Sequence, residues 1–169
     1  VFNRSHYEEV LAVRVHAAYL EAQNLPSPRA SGPALWKQRH ESINEFEKHL
    51  ARNGTVILKF FLHVSKEEQR ERLLARIDEP DSNWKFDPGD LRERAMWGEY
   101  MKAFEDTLRT TSTPWAPWYA IPADDKAFMR REVARIVRAT LEGLKLKFPK
   151  VSEERLAEMQ RLRTLLLEE

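Results

Sequence analysis

Four basic side chains fall close together between residues 65 and 90: Arg70, Arg72, Arg76 and Lys85, with Lys66 before them and Trp84 beside the last. Arg72 and Arg76 are four apart, so on a helix they share a face, and Arg70 lies on an adjoining one. A stripe of this kind has the chemistry to hold an extended polyanion. The same stretch contains Glu67, Glu68 and Glu71, and a solvated face in which these acids pair with the bases is the alternative. Near the start of the chain, Arg4 carries the planar fork that grips phosphate through two hydrogen bonds, or salt-bridges to a carboxylate. Glu8 and Glu9 are ligands of the type that Mg²⁺ takes, one or two carboxylates completed by water and substrate phosphate. Two adjacent acids in a first helical turn also simply complement the helix dipole.

Other chemistries find less support. The chain has no cysteine, which removes disulfide scaffolds, thiol catalysis and the usual structural zinc sites, and makes a reducing cytoplasm the expected compartment. His6 and His16 stand in no metal-ligand spacing with another histidine, no catalytic triad finds its order, and the histidines read as structural. Five tryptophans and four tyrosines would allow base stacking, but aromatic residues at helical spacing belong more often to a core. Lys59 stands in an otherwise apolar strand. It either snorkels to a sheet end or serves a buried anion.

With 169 residues, 42% hydrophobic and 33% charged, the chain is long enough for one compact domain or slightly more, with a real core under an ionised surface. Lys and Arg number 28 against 27 Asp and Glu, a net charge of +1. That balance argues against the uniformly basic surface that drives non-specific nucleic-acid binding, so an anion site must come from local clustering and no nucleic-acid partner is expected. The apolar runs are short and no charged-then-apolar leader is present, so neither a membrane span nor a signal peptide is expected.

The elements that would position these residues follow from the hydrophobic pattern. Val1-Phe2-Asn3-Arg4-Ser5 opens with two apolar β-formers and reads as the end of a strand, in a chain expected to be a fragment. A helix is predicted over 5–22 and a loop over the Pro-, Ser- and Gly-bearing residues 24–33. Over 35–52 a helix places Leu35, Ile43, Phe46 and Leu50 on one face, beside Glu47, and Asn53-Gly54 ends it. Residues 55–64 (TVILKFFLHV) read as a strand apolar on both faces except at Lys59 and His63, which suits the middle of a parallel sheet. Ser65 and Glu68 form a capping box that starts a helix to residue 77. Residues 78–89 form an excursion. A helix over 90–109, a strand over 118–122 and a helix over 125–148 follow, the last with Val133, Ile136, Val137, Leu141 and Leu144 inward. A final helix over 152–169 presents Leu156, Met159, Leu162 and Leu166 to its own domain or to a partner subunit. Alternating strands and helices give the α/β class, a parallel sheet flanked by helices. Ligands of such sheets gather beyond the carboxyl ends of the strands, which raises residues 3–9, 65–76 with the excursion after them, and 122–126.

FNRSHYEEVLAVRVH (residues 2–16), INEFEKHLARNGTVILKFFLHVSKEEQRERLLARIDEP (43–80), WKF (84–86) and TSTPWAPWYAIPADDK (111–126) together resemble the catalytic domain of the polyphosphate kinase 2 family. The likeness covers residues 1–148 and leaves 149–169 as a C-terminal helix. It implies a P-loop-kinase fold like that of thymidylate kinase, with a helical lid over about 65–90. It also implies Mg²⁺-dependent transfer of phosphoryl groups between inorganic polyphosphate and nucleoside mono- or diphosphates, AMP or ADP to ATP, in a bacterial homo-oligomer. On this resemblance Asn3-Arg4-Ser5 is the second nucleotide-kinase motif, close to the metal and the transferring phosphate. Asn3, Arg4 and Glu8 are then catalytic, with Asn3 and Glu8 directed to Mg²⁺ through metal-bound water. Arg70, Arg72, Arg76 and Lys85 would face the phosphate chain. Asn3, His6 and Glu8 are similar to the branch that accepts both mono- and diphosphates; the residues that bind the nucleotide stay unassigned.

The resemblance agrees with the residue types, because phosphoryl transfer asks for little covalent help and much positive charge around the equatorial oxygens. It departs in one respect. No G-x-x-x-x-G-K segment occurs among the 169 residues, so by themselves they are expected to be inactive. An ATP-dependent nucleoside monophosphate kinase of the same fold is one alternative. Another is a non-catalytic polyanion-binding module, whose affinity would fall steeply with salt.

Overall fold

The computed structural model describes residues 1–25 and 31–168. The chain divides into two compact units, Val1–Val133 and Ala134–Glu169. In the first unit, Ser5 accepts the Tyr7 N–H through its side chain and starts a single 3₁₀ turn, His6–Glu9. Two short helices follow, α1 (Ala12–Val15) and α2 (Ala17–Glu21). The single helix expected over 5–22 is therefore broken. Leu11 and Val13 are both buried, yet residues two apart point to nearly opposite sides of a regular helix. Breaking the helix lets both face inward, and His16, extended between α1 and α2, is released to reach Glu93. Residues 1–4 form no strand, and Val1 and Phe2 are exposed; the two apolar side chains have no partner strand among the described residues, and without one their β-propensity has nothing to act on.

Of the loop expected over 24–33, residues 26–30 lie outside the described residues, and Gly32 and Pro33 already belong to α3 (Gly32–Arg52), where Pro suits the first turn. Its buried stripe is Leu35, His40, Ile43 and Glu47. Phe46, expected inward, is 51% exposed. The core face follows the four-residue step from Ile43 to Glu47 and leaves Phe46 at its outer edge. Gly54, at φ +87°, supplies the left-handed stop that only glycine adopts without cost.

The sheet has two parallel strands among the described residues, β1 (Lys59–His63) and β2 (Trp118–Pro122), registered Lys59 with Trp118 through His63 with Pro122. β2 runs over the expected residues. β1 is shorter than the predicted 55–64 because pairing extends only as far as β2 does. It is also not apolar-buried on both faces, since Leu62 is exposed and Lys59 is its buried residue. The Phe60 and Tyr119 rings stack across the pair at 5.6 Å, a cross-strand contact of the kind that stabilises sheets.

Beyond β1 come α4 (Lys66–Asp78), a 3₁₀ turn Asn83–Lys85, α5 (Pro88–Ala95) and α6 (Trp97–Thr111). The helix predicted over 90–109 starts earlier, with Asp87 accepting the Gly89 N–H ahead of Pro88, and breaks at Met96. In an unbroken helix residues seven apart are separated by about 10 Å; the break allows Glu93 and Tyr100 to hydrogen-bond at 2.7 Å. Ala103, Thr107 and Thr111 form the buried stripe of α6. The core gathers Tyr7, Val10, Leu11, Ile43 and Ala103, with Val15, Phe104 and Trp118 packed against it.

α7 (Lys126–Gly143) starts behind Asp125, whose carboxylate accepts the Ala127 and Phe128 N–H groups, and ends five residues short of the prediction. Val137, Leu141 and Leu144, expected inward, are exposed. In the second unit, which ends with α8 (Glu153–Glu168), no described residue is buried. Residue 169 of the predicted last helix lies outside the described residues.

Candidate functional site

The carboxyl ends of the two parallel strands are tied directly to α4. Ser65 caps α4 by accepting the Glu68 N–H at 3.1 Å, as the capping-box spacing requires. The reciprocal half differs: the Ser65 N–H is taken by Asp124 Oδ1 at 2.7 Å, and Glu68 instead accepts from Arg72 Nε at 2.8 Å. Arg72 also donates to the carbonyls of Ala123, at 2.7 Å, and Asp124, at 3.1 Å. The backbone and side-chain hydrogen bonds from Ser65 hold the Asp124 carboxyl below the usual aspartate range, with Arg72 and His63 adding to the effect.

The remaining cations of this stretch point outward. Arg70, 61% exposed, pairs with its neighbour Glu71 at 2.9 Å. Arg76 meets Asp90 at 3.1 Å. Lys85 lies over the Trp84 ring at 5.1 Å, and Trp84 is 76% exposed, held by one bond from its Nε1 to the Asp81 carbonyl. Glu68 and Glu71 therefore do pair with Arg72 and Arg70. Exposed pairs of this type are worth at most about 1 kcal/mol, so an incoming polyanion can displace them. Arg72, by contrast, is built into the junction between α4 and β2.

Residues 3–9 stand apart from that junction: no hydrogen bond or ion pair among the described residues joins Asn3 or Arg4 to α4. Asn3 and Arg4 are exposed, and Arg4 pairs with no carboxylate among the described residues. Glu9 accepts from Arg39 at 2.9 Å and from Gln23 at 2.8 Å. Glu8 is half-buried, and its charge acts on Tyr100. Tyr100 and His16 both bond Glu93 Oε2, at 2.7 and 2.9 Å. These bonds, Tyr100 first, hold the Glu93 carboxyl below its ordinary range, while burial and the same carboxylate push Tyr100 up. Next to this cluster a cleft of about 350 Å³ opens at the carboxyl end of β1, between Leu62 and His63, Gln69 of α4, Glu93 of α5, and Trp97 and Tyr100 of α6. This is where ligands of parallel sheets collect.

Beneath residues 3–9 lies a network of which only Lys59, in an otherwise apolar strand, stands out in the sequence; its partner Glu47 is noted there only as lying beside an apolar helix face. The Lys59 ammonium donates to Glu47 Oε2 at 2.7 Å, to the Tyr7 hydroxyl at 2.7 Å and to the Thr111 carbonyl at 2.8 Å. Tyr7 in turn donates to Glu47 Oε1 at 2.9 Å. Glu47 is 1% exposed. Burial alone would push its carboxyl up, but the nearby His6 ring and the hydrogen bonds from Lys59 and Tyr7 outweigh it and hold the group below its ordinary range. Burial pulls Lys59 down and Glu47 opposes it; all three ammonium protons nonetheless have acceptors. The buried-anion reading of Lys59 is the one the structure adopts, and the anion is internal. The other pairings missed from sequence, His16 with Glu93 and Ser65 with Asp124, join residues too far apart in the chain for spacing to reveal them.

The family model "Polyphosphate kinase 2 (PPK2)" matches residues 1–149. A relative from Rhodopseudomonas palustris named ADP-polyphosphate phosphotransferase is 50% identical over 167 residues, 99% of this chain and 58% of its own length. One from Meiothermus ruber named AMP/ADP-polyphosphate phosphotransferase is 48% identical, over 88% of this chain and 51% of its own. The crystal structure of polyphosphate kinase 2 from Arthrobacter aurescens TC1 superposes with a TM-score of 0.81 at 40% identity, covering all of this chain and 54% of that one. The chain thus spans about half the length of these relatives. With a family model matched over most of its residues and a shared fold at this level of identity, the chain belongs to the polyphosphate kinase 2 family.

Proposed function

We propose that the full-length protein carrying this chain is a Mg²⁺-dependent phosphotransferase that moves phosphoryl groups between inorganic polyphosphate and nucleoside mono- or diphosphates, forming ATP from ADP or AMP. The observation that carries this reading is the placement of exposed Arg70 and Lys85 and half-buried Arg76 on α4 and its following turn, while Arg72 anchors α4 to the strand ends beside the cleft. The names of the relatives support the same substrates. Since the 169 residues contain no G-x-x-x-x-G-K loop, transfer is proposed for the full-length protein and not for this stretch by itself.

In this reading Arg70, Arg76 and Lys85 exchange weak surface partners for the non-bridging oxygens of the phosphate chain, and residues 65–90 act as the lid. Arg4, exposed and without a carboxylate partner among the described residues, grips the transferring phosphoryl group, where a preorganised charge matters most. Asn3 and Glu8 offer hard oxygen donors, one amide and one carboxylate, a set that suits Mg²⁺ completed by water and phosphate. They would hold the ion through its water shell. When bound, it neutralises charge on the phosphate oxygens. The chain's own part is to position and to exclude water, as phosphoryl transfer requires.

The test is nucleotide formation by the full-length protein with long-chain polyphosphate and Mg²⁺, using AMP and ADP in turn. ATP formed only when polyphosphate is present supports the reading. Transfer to AMP from ATP, indifferent to polyphosphate, would instead establish a nucleoside monophosphate kinase. Salt-sensitive polyphosphate binding without turnover would establish a binding module.

A further inference from the structure

The Glu47–Lys59 pair is poorly explained as a device for stability. Two charges taken out of water gain little over an apolar pair of the same volume, and in some proteins what such a pair contributes is a unique arrangement of the groups around it. Here the arrangement is specific. The three ammonium protons of Lys59 go to three different elements: the turn His6–Glu9 through Tyr7, α3 through Glu47, and the end of α6 through the Thr111 carbonyl. Tyr7 is gripped twice, as donor to Glu47 and as acceptor from Lys59, and its ring stands edge-on to Trp118 at 4.9 Å. His6 adds a contact to Glu47 at 3.6 Å.

Of the groups held by this knot, Tyr7 and His6 lead directly to the surface. The Tyr7 N–H returns to the Ser5 side chain at 3.4 Å and the Glu8 N–H to the Ser5 carbonyl at 3.1 Å, so the backbone from Ser5 to Glu8 is closed into one turn on the fixed tyrosine. Arg4 is the next residue. With each residue spanning at most about 3.6 Å, its Cα stays within about 11 Å of a clamped position. Arg4 itself makes no ion pair among the described residues, and this turn is what joins it to the knot.

We propose that Tyr7, Glu47 and Lys59 are positioning residues for Asn3 and Arg4: the buried knot holds the turn that aims these two exposed side chains at the transferring phosphate. The inference rests on the phosphotransferase reading given above, and Tyr7 is its keystone because it belongs both to the knot and to the turn. A knot that merely stabilised the core would leave the action of Arg4 independent of it. A knot that aims Arg4 makes the two act as a unit.

The experiment compares the full-length wild type with Tyr7→Phe, which keeps the ring and removes the hydroxyl, with Arg4→Ala, and with the double variant. Steady-state kinetics with polyphosphate and ADP are combined with amide hydrogen exchange. Tyr7→Phe is expected to lower kcat about tenfold with KM nearly unchanged, since a misplacement remote from the chemistry costs up to about a hundredfold. The double variant should be no slower than Arg4→Ala alone, while the losses in Tm add. Exchange in Tyr7→Phe, and in Glu47→Gln as a second variant, should accelerate over residues 3–9 by more than it does across the rest of the fold. Multiplicative losses in kcat, or wild-type kcat in Tyr7→Phe, would overturn the proposal. Should the wild type show no polyphosphate-dependent turnover, the phosphotransferase reading fails separately, and unchanged exchange over residues 3–9 would then overturn the positioning role on its own.

Discussion

The Asp124 carboxylate, just past the end of β2, accepts the backbone N–H of Ser65, the residue that caps α4, at 2.7 Å. One side chain thereby fixes where the helix after one strand begins relative to the end of the next. Arg72, a turn and a half into α4, returns to the carbonyls of Ala123 and Asp124, so the helix is held at two points and its outward arginines are presented from a rigid base.

Arg70 and Arg72 should therefore behave differently on truncation. Arg72→Ala removes charge-assisted bonds to two carbonyls and is expected to lower stability by on the order of 1–2 kcal/mol; Arg72→Lys should restore little, lacking the planar fork. Arg70→Ala should leave stability within about 0.5 kcal/mol and raise KM for polyphosphate. Denaturant unfolding and steady-state kinetics on the same preparations separate the two, and equal stability losses would place both residues in one role.

Breaking the buried pair from one side strands a charge. Lys59→Met leaves Glu47 ionised in the core without its main partner and is expected to cost about 3–5 kcal/mol. Combining it with Glu47→Gln should recover part of that loss. A double variant as unstable as the sum of the singles would mean that the two residues do not interact energetically.

Acid should act through the same site. Glu47 is held below its ordinary value of 4.5 in the fold and returns toward it on unfolding, so between the two values the unfolded chain binds more protons. The stability it contributes is complete above 4.5 and is lost as pH falls through the lower folded value. Tm followed from about pH 7 to about pH 3 should fall less steeply for Glu47→Gln than for the wild type, although the variant begins lower. Parallel curves would count against an ionised Glu47.

For the outward cations the expectation concerns turnover. Arg76→Ala and Lys85→Ala in the full-length protein should reduce turnover more than stability, since exposed Lys85 and a half-buried single ion pair such as Arg76–Asp90 contribute little to folding. Arg4→Ala should be more damaging, raising the barrier by about 2.7–4 kcal/mol if it acts as other preorganised donors do. Wild-type turnover in Arg4→Ala would remove that residue from the site.

Local pattern alone was enough for what depends on neighbours in the chain. The Ser65 cap and the stop at Gly54 rest on a bond or a steric limit spanning a few residues, the strand at 118–122 showed in its aromatic and apolar residues although its ladder is made with residues 59–63, and the order of motifs carried the family. The arginine stripe was legible as a stripe. Whether each arginine is free or committed was not, because the partners of Arg72 lie about fifty residues away in sequence.

The breaks and the buried charges came instead from packing between elements. The helix expected over 5–22 is divided because burying both Leu11 and Val13 while freeing His16 for Glu93 outweighs the few tenths of a kcal/mol per residue that propensity supplies. Phe46 faces out and Glu47 in because a cation from β1 awaits the glutamate. Lys59 and Glu47 each look like an error when read alone. A buried charge becomes tolerable only once its counter-charge and hydrogen bonds are in place, and that condition is met by folding, across elements, and not along the chain.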